Sequence, residues 1–347
     1  MIIDFPDPCH PDTIRRVSHV KRSARTYLGI DVGKTHYRVG IVQGTRELVA
    51  YVKRPYAHDG ASDLSRLIVQ TADELLGDAG VERDALGGVG LALPAIVDRK
   101  TGTVIKGPDW DFMTGASVSD VLSRHFGCPV VTEADPVAAT WGELAAGVGL
   151  ECERFAVLTW GTSVGAGLVI DGEVVTYANN LFPEFGHAKV SDYDRPCICG
   201  GRGCFATMVS GPGIAQSGLE SAEQGRSKAL GDALSQGAET VTASMVFDAA
   251  EAGDRGAREV LERVGVLFGR MYANLVYACQ PERIVVSGGL TPRFPAIEPT
   301  VRRSMEENCW LIEGGYTTCE PVMSTLEDTA GVLGAARQAS ARMERSE

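Results

Sequence analysis

The stretch TYLGIDVGKTHYRVGIVQGTRELVAY, Thr26–Tyr51, decides how the rest of the chain is read. Tyr27–Ile30 is a short apolar run and Tyr37–Val42 a second, and GTRE separates the second from a third, so the segment reads as a meander of strands. Asp31, Gly33 and Thr35 occupy the turn between the first two. Glycine lets a backbone approach a phosphate closely, threonine offers a hydroxyl, and aspartate can hold Mg2+ through water. Alone, D-x-G-x-T is also explained by a plain hairpin turn.

A second stretch, FAVLTWGTSVGAGLVIDGEVV, Phe155–Val175, repeats the design about 130 residues on. Phe155–Trp160 reads as a strand and Gly161–Gly167 as a turn rich in glycine and hydroxyl groups, with Gly161, Thr162 and Gly165 as its phosphate-facing candidates. Leu168–Ile170 reads as the next strand, closed by the tight turn Asp171-Gly172. A duplicated α/β domain would set the two turns face to face across a cleft, where they could grip one polyphosphate. The chain has no G-x4-G-K-[ST] loop and no dinucleotide fingerprint, which excludes those two nucleotide folds.

Between these turns and the C-terminus lies EFGHAKVSDYDRPCICGGRGCFATMVSG, Glu184–Gly211. Cys197, Cys199 and Cys204 form C-x-C-x4-C, ten residues after His187. Zinc suits such a Cys3His set, and Gly200, Gly201 and Gly203 let the backbone curl around an ion; loop cysteines that happen to lie close together are the plainer alternative. Four protein ligands leave no open position for water or substrate, so the ion would be structural. The other six cysteines (Cys9, Cys128, Cys152, Cys279, Cys309 and Cys319) have no framework spacing and read as reduced thiols.

With 347 residues, 44% of them hydrophobic, the chain can bury a sizeable core, and its length suggests two domains. A net charge of −12 disfavours nucleic acid as a partner. No apolar run suits a membrane span, and the charged N-terminus lacks the apolar stretch of a secretory signal, so a cytoplasmic location and no membrane partner are expected.

Seven stretches in order resemble the ROK family of the actin-like ATPase superfamily, from about Thr26 to Ala336. Beyond the two turns and the EFGH…CICGGRGC signature, ALPAIVDRKTGTV, EADPVAATWGE, PERIVVSGGL and LEDTAGVLGAA are similar to family segments. The resemblance implies an α/β, two-lobe actin-like ATPase (ribonuclease H-like) fold and an ATP-dependent sugar kinase. Residues 1–25 read as a mobile leader, 26–132 as the first lobe, and 133–347 as the second, containing the zinc loop 184–206 and a last helix packing back on the first lobe.

The same resemblance implies site roles. Asp135 aligns with the catalytic aspartate that takes the proton from the acceptor hydroxyl, although an aspartate before Pro136 also reads as a helix N-cap. Glu184, His187 and Asp109 fall where the acceptor is bound, and Gly288 and Gly289 lie against the adenosine. ATP, Mg2+ and structural Zn2+ are the implied cofactors, and a homo-oligomer, dimer or tetramer, is the implied assembly. Family hexokinases usually carry Asn where this chain has Ala134 and Glu where it has Ala206, so two hydroxyl-reading groups are absent. The expected acceptor is therefore a modified hexose or a seven-carbon cyclitol. Glucose, or a sugar bound by a non-catalytic sensor, is the alternative. ROK repressors carry a winged helix of about 60 residues or more before the sugar domain, and about 26 residues precede the first strand here.

Overall fold

The computed structural model describes residues 15–16, 24–57, 60–107, 110–177, 179–190 and 192–344. Asp109 lies outside the described residues, as does the leader expected over residues 1–25 apart from positions 15, 16, 24 and 25. In chain order the first elements are β1 (Arg15–Arg16), β2 (Thr26–Val32), β3 (His36–Gln43), β4 (Glu47–Pro55), α1 (Ala61–Ala79) and β5 (Leu86–Leu93). Then come β6 (Ile96–Val97), β7 (Val104–Lys106), α2 (Val118–Phe126), β8 (Val130–Ala134) and α3 (Asp135–Ala146). The second half holds β9 (Phe155–Trp160), β10 (Val164–Ile170), β11 (Glu173–Val174), α4 (Ala206–Val209), α5 (Gly211–Glu223), α6 (Lys228–Ser235), α7 (Ala243–Glu251) and α8 (Arg255–Cys279). It closes with β12 (Arg283–Ser287), α9 (Glu298–Asn308), α10 (Trp310–Glu313), β13 (Glu320–Met323) and α11 (Ala330–Glu344).

The chain divides into two compact units, one running to Gly147 with Tyr177–Leu181 and the residues from Thr329 on, the other Val148–Thr176 with Phe182–Asp328. In the first, a sheet of order β1-β4-β3-β2-β5-β8 combines an antiparallel meander, β2 to β4, with β5 and β8 parallel to β2. β2 and β5 are buried along nearly their whole length, as strands covered on both faces must be. Helix α1 buries Leu64, Ile68, Ala72, Leu75 and Leu76, one stripe of a 3.6-residue period, in the core with Leu28, Val39 and Leu91. On α11 the backbone itself is the contact surface: a Cβ at Gly90 would collide with the Ala335 carbonyl, and one at Gly334 with the Ala138 carbonyl. Only glycine permits so close an approach.

The unit boundary differs from the expected break between Thr132 and Glu133. β8 pairs with β5 through Ala134, and α3 packs against α11, so both stay with the first unit and the chain leaves it after Gly147. The basic segment at the N-terminus also contributes a strand: Arg15 and Arg16 pair with Tyr51 and Ala50 of β4.

The second unit repeats the arrangement. Its sheet runs β11-β10-β9-β12-β13, an antiparallel meander followed by parallel strands. Its core gathers Trp160, Phe205, Phe268, Phe294 and the buried stripe of α8. The polar region after the cysteine loop forms two helices, α5 and α6, separated where Ser227 caps the second and turns the chain. Ser217, Gly218 and Ser221 of α5 are buried, since small side chains let α7 and its flank pack closely.

Candidate functional site

The cysteine loop builds a compact ligand cage within the second unit. Pro196 pairs with Arg202, the Cys197 amide donates to the Gly201 carbonyl at 2.8 Å, and Gly200 and Gly203 take φ of 85° and 68°, which closes the loop on itself. Arg195 fastens the loop to α5 through the Gly213 carbonyl at 3.0 Å and the Glu220 carboxylate at 2.7 Å. The ligand atoms of His187, Cys197, Cys199 and Cys204 all lie within 4.8 Å of one another. Sγ of Cys199 and Cys204 are 3.7 Å apart, and Nδ1 of His187 is 3.4 Å from Cys197 Sγ. A tetrahedral zinc with bonds of about 2.1–2.3 Å spaces its ligands by about 3.5–3.8 Å, so the cage fits the ion. Three thiolates would leave such a centre with one excess negative charge, and Lys189 Nζ stands 3.0 Å from Cys204 Sγ to offset it.

The other nitrogen of His187, Nε2, is 3.9 Å from Glu184 Oε2. Burial pushes the Glu184 carboxyl above its usual range, and burial with the nearby Lys189 cation pulls His187 down. A neutral imidazole is the form that can ligate a metal through Nδ1 while its second nitrogen makes a hydrogen bond.

In the same unit, β9 ends at Trp160, whose buried indole donates to the Val209 carbonyl at 2.6 Å and meets Phe268 edge-on. The turn that leaves this anchor is Gly161–Ser163, shorter than the expected Gly161–Gly167, because β10 begins at Val164 and Gly165 is paired opposite Thr159. The Gly165 amide is taken by Thr159 Oγ1 at 3.0 Å. Gly161 accepts from the Gly211 amide at the start of α5 at 2.8 Å, and a Cβ on Gly161 would meet only the Gly289 nitrogen at 3.9 Å. Three glycine-bearing segments thus converge within this unit, beside the N-terminus of a 13-residue helix capped by Ser210. Packing does not require glycine at Gly161 or Gly289, and both leave open space against the backbone.

In the first unit, Asp31 sits in β2 opposite Arg38 of β3, not in the turn, since pairing continues to Val32 and Tyr37. Its carboxylate is 3.5 Å from Arg38 Nη1. Gly33 and Thr35 form the turn, and Tyr56 braces it: the phenol donates to the Gly33 carbonyl at 2.7 Å and the Tyr56 amide to the Thr35 carbonyl at 3.2 Å. Burial pushes the Tyr56 phenol up to about 12, with the Trp110 side chain offsetting only part, so it stays a donor. Asp135 opens α3 just beyond β8, in the first turn where the helix dipole favours a carboxylate. The capping position belongs to Ala134, so the N-cap reading of Asp135 does not hold.

The family model described as ROK family matches residues 27–342. The chain belongs to the ROK family. Among the proteins it is similar to is the glucokinase of Halalkalibacterium halodurans, 29% identical over 90% of this chain and 94% of that protein. The crystal structure of the ROK glucokinase of Streptomyces griseus in complex with glucose and AMPPNP is 25% identical over 91% of this chain and 99% of its own, with a TM-score of 0.75. A ROK transcriptional regulator homologous to the E. coli Mlc protein has the same fold, with a TM-score of 0.78 at 20% identity over 92% of this chain and 78% of its own. The ROK fold therefore does not by itself separate catalysis from regulation.

Sequence reasoning missed Tyr56, Arg38 beside Asp31, and Gly211 beside Gly161. Each is a contact across strands or segments that no local motif announces. Among the described residues, no helix is long and apolar enough to cross a membrane.

Proposed function

We propose that this ROK protein is an ATP-dependent kinase that phosphorylates the primary hydroxyl of a hexose-like acceptor. By family and relatives it is a carbohydrate kinase. The observation that carries the mechanism is the place of Asp135, in the first turn of α3 directly after β8, where the helix dipole favours a carboxylate. Asp135 accepts the acceptor's hydroxyl proton as that oxygen bonds to the γ-phosphorus and the bond to the β-γ bridging oxygen breaks, leaving ADP. A positioned base of this kind contributes about 10²- to 10⁴-fold. Gly33, Thr35, Gly161 and Thr162 hold the phosphates and Gly288 and Gly289 border the adenosine, while Gly165, its amide held by Thr159 Oγ1, backs the turn from within β10. Asp31 holds Mg2+ through water, and when bound the ion neutralises charge on the transferring phosphate.

Glu184, His187 and Asp109 bind acceptor hydroxyls, with His187 oriented by zinc held on His187, Cys197, Cys199 and Cys204. Ala134 is buried and Ala206 offers no polar side-chain atom, which supports an acceptor lacking matching hydroxyls, a modified hexose or seven-carbon cyclitol. The relatives named as glucokinases favour glucose as the second reading.

The test is ATP consumption by the purified protein with Mg2+ across a panel of sugars, amino sugars and cyclitols, with Asp135→Asn beside it. We expect turnover of at least one acceptor, and a fall of at least about 10²-fold in the folded variant. Sugar binding with no turnover of any acceptor would make the protein a sensor, and full turnover by Asp135→Asn would remove the base.

A further inference from the structure

We propose that Arg99 and Glu133 are a positioning pair that ties the start of the Asp135 helix to the segment leading into the acceptor loop; the functional part of this inference rests on the kinase reading. Glu133, the penultimate residue of β8, has a side chain only 5% exposed. Its Oε1 accepts the Ala134 amide at 2.9 Å, the residue immediately before Asp135, and its Oε2 accepts Arg99 Nε at 2.6 Å. The same guanidinium donates through Nη1 to the Tyr177 carbonyl at 3.0 Å and through Nη2 to the Leu181 carbonyl at 3.4 Å. Asn180 Oδ1 accepts the Arg99 amide at 3.2 Å, and Tyr177 and Leu181 close their own loop with an amide-to-carbonyl bond of 3.2 Å.

One side chain thus reads two carbonyls of a segment that the chain leaves three residues before Glu184. Three residues span at most about 10 Å, so the place of Leu181 limits where the loop that carries Glu184 and His187 can start. The chemistry explains why the pair is arginine and glutamate. A buried ion pair adds little net stability over an apolar pair, but the planar guanidinium fixes several acceptors in one geometry, which lysine cannot do. A misplacement of about 1 Å in a reacting group can cost about 10²-fold in rate, so the pair's effect lies in turnover.

Arg99→Lys keeps the charge and loses the fork; Glu133→Gln keeps an acceptor for the Ala134 amide and loses the charge. In each folded variant we expect kcat to fall about tenfold or more and the acceptor KM to rise, with the KM for ATP within about twofold. The double variant should be no worse than the poorer single one, since both break one link. Hydrogen exchange, read on the same proteins without substrate, should quicken about tenfold in residues 177–187 of Arg99→Lys and stay unchanged in α8. A lowered Tm with unchanged kinetic constants, or unchanged exchange in 177–187, overturns the proposal. If the wild-type protein phosphorylates nothing, the kinase reading fails, and exchange alone then upholds or overturns the tie.

Discussion

Nδ1 of His187 lies 3.4 Å from Cys197 Sγ, which turns Nε2 of the same ring toward Glu184 at 3.9 Å. The imidazole is a joint between a cage of thiols and the Glu184 carboxylate, and whatever fixes the cage fixes the ring. Elemental analysis should find about one zinc per chain. Cys199→Ala, or a chelator, should remove it and raise the acceptor KM at least about tenfold, while ATP binding changes little. Zinc-free protein with the wild-type acceptor KM would end the argument that the metal orients this loop.

Gly288 and Gly289 are adjacent but answer to different demands. Gly288 has φ of 102°, and a Cβ there would lie 2.8 Å from the Trp160 carbonyl, so any substitution strains the fold. At Gly289 a Cβ meets nothing within 4 Å. Gly289→Val should therefore keep its Tm and raise the KM for ATP about tenfold or more, leaving the acceptor KM within about twofold. An equal rise in both constants would move Gly289 out of the donor site.

Asp254 caps two helices at once, its Oδ1 accepting from Ala257 of α8 at 2.9 Å and its Oδ2 from Ala229 of α6 at 3.0 Å. Burial alone would raise its carboxyl, but the hydrogen bonds from Ala229, Ala257, Ser227 and Lys228 outweigh it and hold the group below the usual range. A depressed folded-state pKa gives stability that is present above the unfolded value and lost as pH falls through the folded one. Asp254→Ala should cost about 1–2 kcal/mol at neutral pH. The Tm gap between wild type and variant should narrow once the pH drops below about 4. A gap that stays constant down to pH about 2 would show that charge plays no part in the cap.

The hairpins that carry the turns are legible in the sequence because their chemistry is local. Asp31 to Thr35 and Gly161 stand out because apolar runs stop at glycine and hydroxyl residues, and the cysteine cage stands out because its ligands crowd into 18 residues. The end of the second turn was not legible, since Val164, Gly165, Ala166 and Gly167 lack the alternation that marks a half-buried strand. The Arg99–Glu133 pair joins positions 34 apart, and Arg99 reaches carbonyls about twice as far away in sequence. Such contacts depend on β5 running beside β8 and on where Tyr177–Leu181 settles, and no local spacing encodes either. For the same reason no local signal places β8 in the first unit: among the described residues it pairs with β5, which lies across a helix in sequence.

The riskiest expectation concerns the acceptor, and the structure sharpens it at Ala134. That residue holds the N-cap position of α3 at φ −68° and ψ 142°, the conformation a capping side chain adopts, yet it makes no side-chain cap. Asparagine there would gain a cap worth about 1 kcal/mol as well as an amide for a hydroxyl, so Ala134→Asn should raise Tm whatever it does to activity. Ala206 opens α4 and is partly buried against the second unit's core, so glutamate there carries no capping gain and reports on the acceptor alone. If the two alanines mark an altered acceptor, wild-type protein should use glucose about 10²-fold less efficiently than its best substrate. Ala134→Asn with Ala206→Glu should then improve glucose use and impair that substrate, because the new polar groups would be buried against a ring without matching hydroxyls. Wild-type protein that already prefers glucose would refute this, and the acceptor would then be read through Glu184, His187 and Asp135 without either side chain.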